Sequence, residues 1–122
     1  GGNSGSNYHL EAVQAAATQL TKAGLADRLM VDCSHANSNK DYRRQADVLT
    51  SVAEQLQNGS HHVMGVMIES HLVEGNQKLG TDLSQLTYGQ SITDACISLD
   101  TTEQLLDDLA KAVVGRRAVI TA

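Results

Sequence analysis

The 122-residue sequence contains no proline, no phenylalanine and no tryptophan; tyrosine is its only aromatic residue, present three times. Average usage would place about six prolines in a chain of this length, so their absence marks the sequence as an expected piece of something larger. No apolar run approaches the roughly 20 residues that a membrane-spanning helix needs, and no membrane partner is expected. The opening Gly1-Gly2-Asn3-Ser4-Gly5-Ser6 has neither a charged start nor an apolar stretch, so no secretory signal is expected. Basic residues are few and scattered: nine Lys and Arg against 14 Asp and Glu leave a net charge of -5, which argues against a nucleic-acid footprint. Only two cysteines occur, Cys33 and Cys96. Without an export signal they read as reduced thiols, which points to a cytoplasmic location.

What is present is an ordinary globular composition, 41% hydrophobic and 19% charged, long enough for one core and too short for two. Three stretches carry a helical period. Leu10, Val13, Ala17 and Leu20 form the first, with Asn7 as expected cap and Gly24 as expected stop. Tyr42, Ala46, Leu49, Ala53 and Leu56 form the second, opened by Ser38 with Asp41 three residues on and closed near Gly59. Leu105, Leu106, Leu109, Ala112 and Val113 form the third, expected to start at Asp100 with Glu103 as capping partner and to end before Gly115.

Between the helices lie two apolar runs with little alternation, Arg28 to Cys33 and Val63 to Glu69. Strands covered on both faces look like this, and helix-strand alternation predicts an α/β fold with parallel strands and crossover helices. Spacing narrows the choice. Gly2 to His35 spans 33 residues and His35 to Glu69 spans 34, close to the roughly 31 residues of one unit in a (β/α)8 barrel. On this reading the chain holds about two β/α units and a closing helix, too little to close a barrel. Ser70 to about Leu99 shows no convincing period, and loops longer than about 12 to 15 residues are usually functional or disordered. This one follows a strand tip, where barrel active sites are built.

Polar residues gather at the two strand ends: Asp32, Ser34, His35, Asn37 and Ser38 after the first, then Glu69, Ser70, His71, Glu74, Asn76 and Gln77 after the second. His35 and Glu69 are placed to converge on one site. With a further carboxylate such as Asp94 they make a mixed nitrogen and oxygen set suited to Mn, Fe, Co or Zn. The alternative for His35 is a role bonding the loop backbone. His61 and His62, ahead of the second strand, read as solvated, and Arg43 and Arg44 as the wet face of a helix.

Three long motifs then speak together: Asp32-Cys33-Ser34-His35-Ala36-Asn37-Ser38, Glu69-Ser70-His71-Leu72-Val73-Glu74-Gly75-Asn76-Gln77 and Tyr88-Gly89-Gln90-Ser91-Ile92-Thr93-Asp94-Ala95-Cys96. They closely resemble the C-terminal part of class I 3-deoxy-D-arabino-heptulosonate 7-phosphate (DAHP) synthases, over nearly the whole chain from Gly1-Gly2 to about Arg117. The resemblance implies that residues 1 to 122 are the C-terminal part of a single (β/α)8 barrel domain, with the rest of the barrel outside this chain. It implies an enzyme, a transferase that condenses phosphoenolpyruvate with erythrose 4-phosphate at the entry to the shikimate pathway, and a divalent metal as cofactor.

The family's metal is held by a Cys, a His, a Glu and an Asp. By motif, the His falls on His35, which is then also catalytic, the Glu on Glu69 and the Asp on Asp94. The ligand Cys belongs to an early strand and has no counterpart here, so neither Cys33 nor Cys96 takes its role; Cys96 is expected near the metal because it lies two residues from Asp94. Gly1 and Gly2 are expected to border the phosphoenolpyruvate site, next to an Arg that precedes them in the family. His71 and Glu74 are expected to brace their loop. Two readings of the chain remain: part of an active synthase, or a catalytically inactive piece that self-associates. As partners, the first implies the two substrates and the rest of the barrel, the second a homo-oligomer.

Overall fold

The computed structural model describes residues 1 to 122. Helix α1 (Leu10–Lys22) buries Val13 and Ala17, one turn apart, and carries Glu11 in its first turn and Lys22 in its last, each opposing the local end of the helix dipole. Gly24 closes it with φ +73°, a left-handed conformation that glycine adopts without strain. Asn7 does not cap it. His9 occupies the cap position without a side-chain bond, and the Asn7 N–H donates instead to Asn37 Oδ1 at 2.8 Å.

Strands β1 (Leu29–Asp32) and β2 (Val63–Met67) pair in parallel, with Leu29 opposite Val63 and Asp32 opposite Met67. A parallel pair needs a crossover, and the crossover here is α2 (Gln45–Gln57). α2 turns Val48, Leu49, Val52 and Leu56 onto the sheet, where they meet Val31, Cys33 and Val63 in the core. Ala46, Ala53 and Tyr42 flank this stripe partly buried. Entry to α2 differs from expectation. Tyr42–Arg44 form a tight 3-10 turn capped by Asp41, which accepts from the Arg43 N–H at 3.1 Å. Ser38 is fully buried, and its hydroxyl donates to the His35 carbonyl rather than capping a helix.

The segment after β2, expected to lack regular structure, contains four short strands: β3 (Ser70–His71), β4 (Val73–Asn76), β5 (Gln90–Ser91) and β6 (Ile97–Ser98). β3 pairs in parallel with β6, and β4 with β5. Gly75 and Cys96 form an antiparallel bridge between the two pairs. Two-residue strands show no period, which is why the sequence reads as loop. They stay in two-stranded sheets separate from the β1–β2 pair: Cys33 N–H donates to the Met67 carbonyl at the end of β1–β2, and Ile97 N–H to the Glu69 carbonyl at the start of β3–β6.

Helix α3 (Leu99–Thr121) follows β6 directly. Its cap is Ser98, which accepts from the Thr101 N–H, not Asp100 with Glu103. Leu105 and Ala112 are buried, with Leu109 and Val113 partly so, while Leu106 lies half exposed on the other face. The helix also runs through Gly115 instead of stopping before it. A Cβ at Gly115 would sit 3.1 Å from Gln57 Cγ, so this glycine lets α3 close on the end of α2. No helix is long and apolar enough to cross a membrane.

Candidate metal centre

β1 and β2 are parallel, so their C-terminal ends lie side by side, and the chain after each end carries polar groups to one place. After β1, the turn from Ser34 to Lys40 folds back on itself, with the Lys40 N–H donating to the His35 carbonyl at 2.8 Å. His35 itself has φ +52°, a backbone setting few side chains accept. Asp32, the last residue of β1, holds the start of this turn: Oδ1 accepts from the Ser34 N–H at 2.8 Å and Oδ2 faces His35 Nδ1 at 2.8 Å. With Nδ1–H donating to this carboxylate, the neutral ring keeps Nε2 free as a lone-pair donor.

Glu69 is fixed by its backbone. Its N–H donates to Gln45 Oε1 at 2.8 Å, and its carbonyl accepts from Gln45 Nε2 at 3.1 Å and from the Ile97 N–H. Gln45 is wholly buried at the first position of α2. With the backbone held on three bonds, the side chain projects past the sheet. Ser34 Oγ donates to Glu69 Oε2 at 2.5 Å, leaving Oε1 at 3.4 Å from His35 Nε2.

Asp94 arrives from the β5–β6 connection. That connection is pinned where Asn76 Nδ2 donates to the Thr93 carbonyl at 2.9 Å and where the Thr93 N–H meets Ser91 Oγ at 3.1 Å. Asp94 Oδ2 stands 3.8 Å from His35 Nε2, and the three donor atoms of His35, Glu69 and Asp94 all lie within 4.8 Å of one another. The hydrogen bond and charge of Asp32, then the charges of Glu69 and Asp94, hold the His35 pKa above the usual imidazole value. A site that favours an imidazolium favours positive charge in general, and one nitrogen with two carboxylate oxygens is a donor set for a divalent transition metal.

The cleft around these groups, about 480 Å³, is lined also by Ser38, Lys40, Tyr42, Asn76 and Ala95. Lys40 is the one formal cation on its wall. Gly1 and Gly2 do not line it. Gly1 packs against the turn that bears His35, where a Cβ would come 2.8 Å from the Asn37 nitrogen, and Gly2 pairs with Gly5 in a small backbone bridge.

Gln45 is the functional-site residue that sequence reasoning missed. The available signal was a glutamine on the apolar side of an amphipathic helix, where an aliphatic residue is the usual choice. Within the second motif, the bracing falls less on His71 and Glu74 than on their neighbours. His71 Nδ1 accepts only from the next residue's N–H, whereas Gln77 bonds Thr87 through both amide atoms. Of the two histidines expected to be solvated, His61 is 54% exposed and His62 only 21%, and both contact Asp27.

The two thiols are free. Cys33 is fully buried, and burial, then the Asp32 charge, pushes its pKa up to about 12. Cys96 Sγ lies 3.5 Å from the Asp94 carbonyl, and its pKa is also raised, by burial and by the Glu69 and Asp94 charges. At pH 8 Cys33 is about one part in 10⁴ thiolate, so iodoacetamide is expected to label the native chain at Cys96 alone, and both positions only in urea. Peptide mass mapping reads the result, and native labelling at Cys33 would show that the core around it opens.

Three comparisons with known proteins agree. The sequence model of the DAHP synthetase I family matches residues 1–107. A phospho-2-dehydro-3-deoxyheptonate aldolase of Haemophilus influenzae is 50% identical over 117 residues, 96% of this chain and 32% of that protein. A tyrosine-inhibited phospho-2-dehydro-3-deoxyheptonate aldolase of Schizosaccharomyces pombe is 50% identical over 121 residues, again 96% of this chain and 32% of the relative. The solved structure of phospho-2-dehydro-3-deoxyheptonate aldolase from Francisella tularensis superimposes with a TM-score of 0.89 at 45% identity, covering 95% of this chain and 33% of that one. The chain thus spans about a third of the length of the relatives it matches. The motifs at the strand ends, the parallel α/β fold that presents them and these three likenesses place the chain in one family, and it belongs to the DAHP synthetase I family.

Proposed function

We propose that this chain is the C-terminal part of a (β/α)8 barrel and supplies three metal ligands to a 3-deoxy-7-phosphoheptulonate synthase. The observation that carries the reading is the meeting of His35, Glu69 and Asp94 beyond the C-terminal ends of parallel strands. Alternation along the strands supports the barrel: Val31 and Val63 enter the core with α2, while Met30 and Met64, one residue along, are 60% and 69% exposed on the other face. Apolar groups on both faces belong to a sheet meant to be covered on both, as in a barrel wall.

In the reaction implied, C3 of phosphoenolpyruvate bonds to the aldehyde carbon of erythrose 4-phosphate, water adds at C2 and phosphate leaves. His35 Nε2, Glu69 and Asp94 would hold a divalent cation, Mn, Fe, Co or Zn. When bound, it supplies Lewis acidity toward the aldehyde oxygen and offsets charge developing there. The chain's own residues prepare the place. Asp32 keeps the Nδ1 proton on His35 and turns Nε2 outward; Ser34 fixes the Glu69 carboxylate in one orientation; Lys40 gives the cleft wall a positive charge suited to a substrate phosphate or carboxylate.

A phosphate-release assay with both substrates and Mn²⁺ tests this. The 122-residue chain alone is expected to show no turnover and to elute above its 13.0-kDa monomer mass, because its exposed Met30 and Met64 face recruits further copies. Completed with the other two thirds of the Haemophilus influenzae relative, it is expected to turn over, and to lose about 10³-fold in kcat as His35→Asn. Asn tolerates the positive φ at this position and so spares the turn. Full activity of that variant would refute the assignment. No turnover by the completed wild-type polypeptide would favour the second reading, an inactive piece that self-associates.

A further inference from the structure

A second group of metal-ligating side chains stands at the opposite end of the β1–β2 pair. Asp27 lies two residues before β1, and His61 and His62 immediately precede β2. Leu29 N–H donates to the His62 carbonyl at 2.8 Å, which locks the two approaches side by side. Five residues of strand, about 16 Å, separate this cluster from the C-terminal end where His35 and Glu69 meet.

We propose that Asp27, His61 and His62 form a second metal site, selective for Zn²⁺ or a similar borderline divalent ion, that staples the entry of β1 to the entry of β2. Asp27 Oδ2 lies 3.2 Å from His61 Nε2 and 3.1 Å from His62 Nδ1, and the three donor atoms fall within 4.8 Å of one another. Ligands at 2.0 to 2.1 Å around a tetrahedral ion stand about 3.4 Å apart, so two edges of the tetrahedron are already near their length. Two imidazoles and one carboxylate are a donor set that suits zinc better than the harder Mg²⁺ or Ca²⁺.

The surroundings orient the ligands. Arg28 bonds the His61 carbonyl and stands 3.9 Å from the other Asp27 oxygen, Oδ1, so that Oδ2 is the one left for the rings. Three protein ligands leave a fourth position for water. The cleft of about 830 Å³ onto which His61 and His62 open is lined also by Gln55 and Ser60, whose Oε1 and Oγ are buried without a hydrogen-bond partner. Gln55 is only 7% exposed, and its Nε2 is already committed to the Tyr8 carbonyl at 2.8 Å. A buried oxygen left without a donor costs free energy unless something supplies one.

The test uses Zn²⁺ alone, with the first site removed as His35→Asn/Asp94→Asn so that its occupancy cannot be counted. That chain is expected to retain one equivalent of Zn²⁺ after dialysis, and to give the intense visible absorption of tetrahedral Co²⁺ when cobalt replaces it. Adding Asp27→Asn, which keeps shape and hydrogen bonding to one ring, is expected to weaken Zn²⁺ binding at least 100-fold with far-UV circular dichroism unchanged. Adding His61→Ala/His62→Ala is expected to abolish uptake and the cobalt spectrum. No bound Zn²⁺ in the double variant, or uptake that survives both additions, overturns the proposal and leaves the cluster as a hydrogen-bonded turn. The outcome is independent of whether the synthase reading holds.

Discussion

Glu69→Gln is expected to weaken Mn²⁺ binding by about 100-fold or more while leaving the folded chain as stable as before. The substitution keeps the shape and removes one negative charge. Ser34 Oγ now donates to Glu69 Oε2 and Oε1 stands 3.4 Å from His35 Nε2. In the variant the amide oxygen keeps the Ser34 bond, which turns the NH₂ group toward His35 Nε2. A donor there bonds the imidazole lone pair that a metal would need. The site then satisfies itself as a neutral hydrogen-bonded pair and offers a cation only Asp94, a carboxylate 72% exposed to solvent. Calorimetric titration with Mn²⁺, in a chain that also carries His61→Ala/His62→Ala so that one site is counted, measures the change. An affinity within about threefold of the parent chain would mean that Glu69 is not a ligand.

The contrast between Glu69 and Asp94 also explains what could be read ahead of the structure. The 33- and 34-residue intervals and two unalternating apolar runs suffice to put His35 and Glu69 at the same ends of neighbouring parallel strands, because a parallel pair leaves no other geometry. Asp94 was reachable only through its motif. Its position depends on β4, β5 and β6, whose two- to four-residue lengths are set by tertiary pairing and leave no period in the sequence. Helix ends failed for a related reason. Asn7, Ser38 and Asp100 are all good cap residues by type, but Asn7 and Ser38 are drawn into the His35 turn, and Ser98 stands two residues nearer the strand that α3 must follow. Gly115 looked like a stop because glycine usually is one; here helix packing against Gln57 outweighs its cost of about 1 kcal/mol inside a helix. The pair His61 and His62 carried no signal until Asp27, 34 residues away, was seen beside them.

Gln45→Leu is expected to cost the folded chain about 2 to 3 kcal/mol and to weaken metal binding at a site its side chain never touches. Gln45 has no exposed surface, and both of its amide atoms are spent on one residue, Glu69. Leucine keeps the volume, so no large cavity opens, and the Glu69 carbonyl keeps its bond from the Ile97 N–H. The Glu69 N–H, however, loses its acceptor, and a buried donor left without one costs about 1 to 3 kcal/mol. For a domain of this size each kcal/mol is worth roughly 3 to 5 °C in Tm, so the melting temperature should fall by about 6 °C or more. The loss reaches the metal because Glu69 sits in a two-residue break between β2 and β3, where the sheet alone does not hold both backbone groups. Released from Gln45, the residue turns more freely about its φ and ψ, and Ser34 is left as the anchor of its carboxylate. Mn²⁺ affinity is therefore expected to fall about 10- to 100-fold, less than for Glu69→Gln, since every ligand atom remains present. Urea unfolding and Mn²⁺ titration of the same sample separate the two effects. Lowered stability with unchanged affinity would show that the clamp serves the fold alone, and unchanged stability would show that the Glu69 N–H finds another partner.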